Sequence, residues 1–485
     1  MNKQLNRAII TSVVGKLSTY IVQFLLLMLY ARIFAPDDFG VVASIAVFVV
    51  FFQLISDIGL GPALINEEKL TKAEWNGAFT FTCVVGVIIA LIFSLASTPI
   101  GNYYESELYG QVILVMSPAI CFSCFCIVPN TGFVKELKFS TLAIIDSVAH
   151  LFSFIMVYFL TDYLQDAIAL ASKATFFAIL KFVLLMFLSN KTIMKRPTLG
   201  MDLSVIKKVK RFAMYQFSFG MVNYFSRNSD NIVIAKFMGS HSLGIYDQAY
   251  QLIRYPLQLT AFALSSAIQP VMTSHKGNMK YIVEEHNKLS QKLFCLSLVI
   301  FLYINFNADL IVLIILGEKW KEVIIILQIF NYSLPIQMLI ATSGAFFQSI
   351  GRPDLLFRAG LIGALIFLTS ILFSLMFFTI EAVAWSISLS FFINSISIYL
   401  LLYKYGFKTS ILPFSKCLLY IIKKMLPYTV TAIALYSMMD YVFFENIYFN
   451  FLISIAVFLI PLALHIKPFI SVMNERGLYS SGGPL

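Results

Sequence analysis

Long apolar runs, each closed by a short polar break, recur along the whole 485-residue chain. A helix crosses a bilayer core with about 20 mostly apolar residues. On that scale the sequence predicts fourteen spans, at about 10–33, 39–65, 78–99, 110–134, 140–161, 166–189, 212–238, 244–273, 289–307, 322–350, 356–378, 381–403, 417–440 and 446–466. The breaks carry turn chemistry, as in Ala35-Pro36-Asp37-Asp38, Gly239-Ser240-His241-Ser242 and Ile350-Gly351-Arg352-Pro353-Asp354. The region 308–321 is apolar only over a short piece, and other readings of it give thirteen or twelve spans. The longest loop is 190–211. The polar start, 2–7, leads into an apolar run that passes signal-peptide length without a small-residue cleavage pattern, so no cleavable signal is expected. Residues 471–485 read as a flexible tail.

Composition sharpens this picture. Hydrophobic residues make up 59% of the chain and charged residues 12%, against about 45–50% and 25% in soluble domains. That excludes a water-soluble enzyme, a disordered chain and a nucleic-acid-binding domain. The net charge of +10 is explained by where the basic residues fall. With the N-terminus in the cytoplasm, 26 of the 35 Lys and Arg lie at the inner face, among them Lys404, Lys408, Lys416, Lys423 and Lys424. Four lie at the outer face: Arg32, Lys236, Lys319 and Lys321. Under the positive-inside rule both termini are cytoplasmic and the span count is even. The short loops leave no room for a soluble catalytic domain, and no G-x-x-x-x-G-K-[ST] phosphate loop occurs. Neither enzymatic activity nor a cofactor is expected.

Five basic residues remain inside the spans: Lys16, Lys173, Lys181, Arg227 and Arg254. A Lys or Arg at the bilayer centre costs about 2.5–3.5 kcal/mol on insertion scales, so each needs a partner or a wet cavity. The intramembrane acids are Asp57, Asp146, Asp230 and, near a span end, Asp247. Two readings stand for these charges. Arg227 and Asp230, at i,i+3, can neutralise each other, and Asp57 can pair with Lys16 or serve the Gly59-x-Gly61-Pro62 bend. Lys173 and Lys181 have no acid at i±3 or i±4, so they are the best candidates to face an anionic substrate. Asp57, Asp146 and Asp230 are candidates for ion coupling or for salt bridges. His150, one turn from Asp146, is either a packed histidine or part of a proton relay. Cys121-x-x-Cys124-x-Cys126 has metal-like spacing, but it lies inside a span without a nearby His and reads as packing.

The chain also repeats itself. Ala31-Arg32-Ile33-Phe34-Ala35-x-x-x-Phe39-Gly40-Val41 returns as Ala235-Lys236-Phe237-Met238-Gly239-x-x-x-Leu243-Gly244-Ile245, offset by 204 residues and six spans. An even offset gives two halves of the same orientation, with the substrate site between them near mid-membrane. The alternative is that any outer hairpin needs a glycine and a snorkelling cation. The duplication divides the chain into a six-helix bundle at 1–189, a cytoplasmic linker at 190–211, a second six-helix bundle at 212–403 and an extra helix pair at 404–470.

Several segments carry a family likeness. Phe39-Gly40-Val41-Val42-Ala43, the run from Phe52-Gln53-Leu54-Ile55-Ser56-Asp57 to Gly61-Pro62-Ala63-Leu64-Ile65, Ser229-Asp230-Asn231-Ile232, Leu243-Gly244-Ile245-Tyr246 and Gly317-Glu318-Lys319-Trp320 resemble the polysaccharide-transport branch of the MOP superfamily. These are the Wzx-type flippases of O-antigen, capsule and colanic-acid repeat units, relatives of lipid II flippases and of MATE exporters. The resemblance runs over roughly 5–470. It implies an all-α membrane protein with two six-helix bundles around a V-shaped cationic cavity, often with two further helices. It also implies a multi-pass protein of the bacterial inner membrane and an undecaprenyl-diphosphate-linked glycan as substrate. Membrane lipids surround such a protein. A glycan polymerase and glycosyltransferases are implied as functional partners, with a proton or sodium ion as a coupling ion. The rival reading, a MATE-like drug exporter, would call for an acidic cavity, and the basic excess argues against it.

Overall fold

A computed structural model describes residues 3–57, 60–67, 70–262, 268, 271–273, 275, 277–439 and 447–464. The expected tail, 471–485, lies outside the described residues, as do the side chains of Asp57 and Arg227. Among the described residues the regular structure is helical throughout.

The chain forms two compact units, Met1–Asp247 and Gln248–Leu485. The first contains α1 (Lys3–Ile33), α2 (Pro36–Asp57), α3 (Leu60–Asn66), α4 (Lys72–Leu95), α5 (Ser97–Tyr103), α6 (Glu107–Lys135), α7 (Phe139–Leu160), α8 (Asp166–Leu188), α9 (Ser204–Phe237) and the start of α10 (Gly239–Leu257). The second continues through a π-helical turn, Gln258–Phe262, to α11 (Met279–Ile315), α12 (Val323–Ile340), α13 (Ser343–Ser349), α14 (Pro353–Ser374) and α15 (Ile380–Leu400). A second π-helical segment, Leu401–Phe407, leads to α16 (Leu412–Met439) and α17 (Ile447–Leu464).

Twelve helices among the described residues are long and apolar enough to cross a membrane. They account for every expected span except 212–238 and 244–273. Helices α9 and α10 fall in those two regions, but their composition is too polar to count as apolar spans. Helix α9 carries Lys207, Lys208, Lys210, Arg211, Arg227, Asp230 and Lys236, and α10 carries Asp247, Gln248, Gln251 and Arg254. A helix covered by other helices does not need a lipid-compatible surface all round, and α9 packs against α2, α3 and α4. The break expected near residue 307 is a kink instead. Helix α11 runs through it, with Asn307 at φ −121°, ψ 22° and its amide donating back to the Tyr303 carbonyl at 2.9 Å.

Local chemistry sets the helix starts. Pro36 opens α2 with Asp37 and Asp38 in its first turn, and the Ala35 N–H donates to Asp38 Oδ2 at 2.9 Å. Acids there complement the helix dipole. Thr71 and Glu74 form a reciprocal capping box on α4. The segment before α9 is tied down by lysines that donate to backbone carbonyls. Lys72 reaches Met194 O at 2.6 Å and Arg196 O at 2.8 Å, and Lys138 reaches Lys191 O at 2.5 Å. Lys208 bonds Glu74, which pushes the lysine's pKa above its usual value.

The two copies of the sequence repeat touch each other. A Cβ at Gly40 would stand 1.8 Å from the Ser240 carbonyl oxygen, and one at Gly244 would stand 1.9 Å from that of Pro36. The 204-residue offset maps Pro36 onto Ser240 and Gly40 onto Gly244. Each glycine therefore meets the partner repeat's copy of the residue that meets the other glycine, as a two-fold contact requires. Asp37 and His241 are a further equivalent pair, and they are bonded at 3.0 Å.

Candidate functional site

The polar groups of the first unit line up where α1, α7 and α8 pack together. Helices α7 and α8 run antiparallel, so each four-residue step along one faces a four-residue step back along the other. Asp146 meets Lys181, and His150 stacks on Phe177 with centroids 4.2 Å apart. Helix α1 completes the wall. Gln23 bonds His150 at 2.9 Å, and Tyr30 packs edge-on against Phe154 at 5.1 Å.

The two lysines of this wall have different partners. Lys181 Nζ lies 2.8 Å from Asp146 Oδ1, both side chains about a quarter exposed, and 5.5 Å from the Phe177 ring centroid. Its charge is matched. Lys173 is half-buried, and its ammonium stands 4.6 Å from the centroid of the buried Tyr30 ring. Asp247 acts on it through space, but among the described residues Lys173 makes no ion pair. A cation over an aromatic face is stabilised by about 0.5–2 kcal/mol, which leaves its three N–H donors available to an anion.

Between the two lysines sits His150. With Gln23 donating to His150 Nε2, the imidazole carries its proton on Nδ1. Its ring stacks on Phe177, as a packed histidine does.

The other expected site residues are dispersed. Lys16 is exposed on α1, on the same helix as Gln23 and Tyr30. Asp230 is buried on α9 and accepts hydrogen bonds from the Tyr246 hydroxyl at 2.6 Å and the Asn231 N–H at 2.9 Å. Arg254 is exposed in the second unit, 5.9 Å from the Tyr250 ring centroid. Lys181 has no acid at i±3 or i±4 along its own helix. The partner comes from the neighbouring helix, and the signal was present as the matched four-residue spacing of Asp146–His150 and Phe177–Lys181. The parts played by Tyr30 and Gln23 had no sequence signal beyond residue type.

Comparison with known proteins agrees with this architecture. A family model described as "Polysaccharide biosynthesis protein" matches residues 29–325. The teichuronic acid biosynthesis protein TuaB of Bacillus subtilis (strain 168) is 27% identical over 320 residues, 64% of this chain and 63% of TuaB. The chain thus spans somewhat under two thirds of that relative. The lipopolysaccharide biosynthesis protein WzxC of Escherichia coli (strain K12) is 20% identical over 346 residues, 70% of this chain and 69% of WzxC. The solved structure of the lipid II flippase MurJ in an inward closed conformation superposes with a TM-score of 0.76 at 16% identity, covering 95% of this chain and 100% of MurJ. At that identity the likeness is one of fold.

Proposed function

The chain belongs to the polysaccharide biosynthesis protein family, and from that premise we propose that it moves a polyprenyl-diphosphate-linked oligosaccharide, the repeat unit of a surface polysaccharide, from the inner to the outer leaflet of the bacterial cytoplasmic membrane. The movement is by alternating access, in a fourteen-helix protein with both termini in the cytoplasm and two bundles at 1–189 and 212–403. The observation that carries this reading is Lys173: a half-buried ammonium in an apolar helix, held by a tyrosine ring and by no carboxylate among the described residues.

A diphosphate entering the membrane loses water that must be replaced by charged donors, because an unpaired buried anion is prohibitively unstable. Lys173 offers such a donor inside the span. Lys16, Arg227 and Arg254 supply further positive charge, while Lys181 is held by Asp146. Charge-assisted bonds of this type are roughly twice as strong as neutral ones. The lipid tail stays in the bilayer throughout. With the cell interior negative, outward movement of two negative charges is favoured by about 4–5 kcal/mol per 100 mV. Asp57, Asp146 and Asp230 are the candidate carboxylates for proton or sodium coupling or for salt bridges, and Asp146 pairs with Lys181.

The test is complementation of a strain lacking this gene. Lys173→Gln should insert into the membrane at the normal level yet fail to restore the surface glycan. Full restoration by that variant would remove Lys173 from the substrate path.

A further inference from the structure

Helix α16 carries a second basic feature, remote in sequence from the wall of the first unit. By charge alone Lys416, Lys423 and Lys424 belong with the inner loops. The helix starts at Leu412, so Lys423 lies eleven residues along it, about 16 Å at 1.5 Å per residue. It falls near the middle of the apolar stretch Leu412–Met438. The surrounding residues Leu419, Ile422 and Leu426 are all exposed large hydrophobics, so this surface faces lipid.

Lys416, Tyr420, Lys423 and Lys424 follow one another at i, i+4, i+7 and i+8, which places them on one face of the helix. The Lys424 ammonium bonds the Tyr420 hydroxyl at 3.0 Å, while Lys416 and Lys423 are exposed. Neither α16 nor α17 contains an Asp or Glu. Helix α11 adds one more cation at the same level. Gln291 donates to Cys417 Sγ at 2.6 Å, which fixes the two helices in register, and the next residue on α11 is the exposed Lys292.

We propose that this face is a binding site for the headgroup of an acidic glycerophospholipid. The proposal does not rest on the transport reading. Long lysine stems pack along apolar surface and point their ammonium groups toward the headgroups, so Lys416 meets the phosphate and Lys423 and Lys424 draw it from below, and a cluster of basic residues at a membrane-facing helix selects acidic headgroups over zwitterionic ones. Tyr420 supplies the amphipathic ring that suits the boundary between chains and headgroups.

The experiment is native mass spectrometry of the full-length purified protein in neutral detergent, titrated with phosphatidylglycerol or with phosphatidylcholine of the same acyl chains. Each lysine is expected to contribute about fivefold to the preference, so the wild type should retain phosphatidylglycerol far better. The Lys416→Gln/Lys423→Gln/Lys424→Gln variant should hold both lipids equally, while Lys423→Arg keeps the preference. In the wild type the preference should shrink as salt rises, which tests the idea even if the triple variant does not fold. Equal retention of both lipids by the wild type, or an unchanged preference in the folded triple variant, would overturn the proposal. So would displacement of phosphatidylglycerol by an equimolar amount of undecaprenyl diphosphate, which would assign the phosphate site to the carrier lipid.

Discussion

Two lysines stand on α8, two turns apart, and among the described residues only one has a carboxylate partner. At Lys181 the neighbouring helix presents Asp146, and an ion pair at 2.8 Å closes the site on itself. At Lys173 the neighbours present the Tyr30 ring, and the ammonium keeps its donors. The residue type and the helix are the same, so the difference lies in what the adjoining helices supply. A compensated charge holds helices together. A charge left over an aromatic face is stable enough to persist in the span and remains available to an incoming anion.

The comparison can be broken at several points. The largest effect is expected from Lys173→Gln, which removes a charged donor worth about 1.5–3 kcal/mol. Export, measured as surface glycan per molecule of inserted protein, should fall about tenfold to a hundredfold, with little change in thermal stability. Next is Asp146→Asn, which leaves Lys181 partly buried and unpaired. Breaking a fully buried pair costs about 3–5 kcal/mol, and partial exposure reduces that toward about 1–2 kcal/mol. A lower melting temperature in detergent is the readout.

Adding Lys181→Gln to Asp146→Asn should recover most of that loss, because the uncompensated charge disappears. A double variant as unstable as the single one would show that Asp146 acts on something other than Lys181. The smallest effect is expected from Gln23→Ala. It removes one neutral hydrogen bond to His150, worth about 0.5–1.5 kcal/mol, and should be visible as faster hydrogen exchange at the α1–α7 contact without a change in export.

Much of the fold is legible in the sequence, because membrane spans obey a strong local rule. Among the described residues, twelve apolar helices stand where apolar runs stand. The repeat around Gly40 and Gly244 is also legible, although nothing in the pattern says that the two copies press against each other. The rule weakens where helices are covered by protein, as in α9 and α10, whose polarity no longer reports on lipid. It fails for charges whose partners sit on another helix. Asp146 and Lys181 are 35 residues apart, and only the antiparallel register of α7 and α8 brings them together. The depth of Lys423 was obscured for a related reason. Loop and helix cannot be separated by charge alone, and α16 begins several residues before its first lysine.

The most direct test is the affinity of undecaprenyl diphosphate for the purified protein, compared among the wild type, Lys173→Gln and the Asp146→Asn/Lys181→Gln pair. An uncompensated Lys173 beside a closed ion pair predicts about tenfold or more weaker binding for Lys173→Gln and binding close to the wild type for the paired variant. Wild-type affinity in Lys173→Gln, or the larger loss in the paired variant, would contradict it.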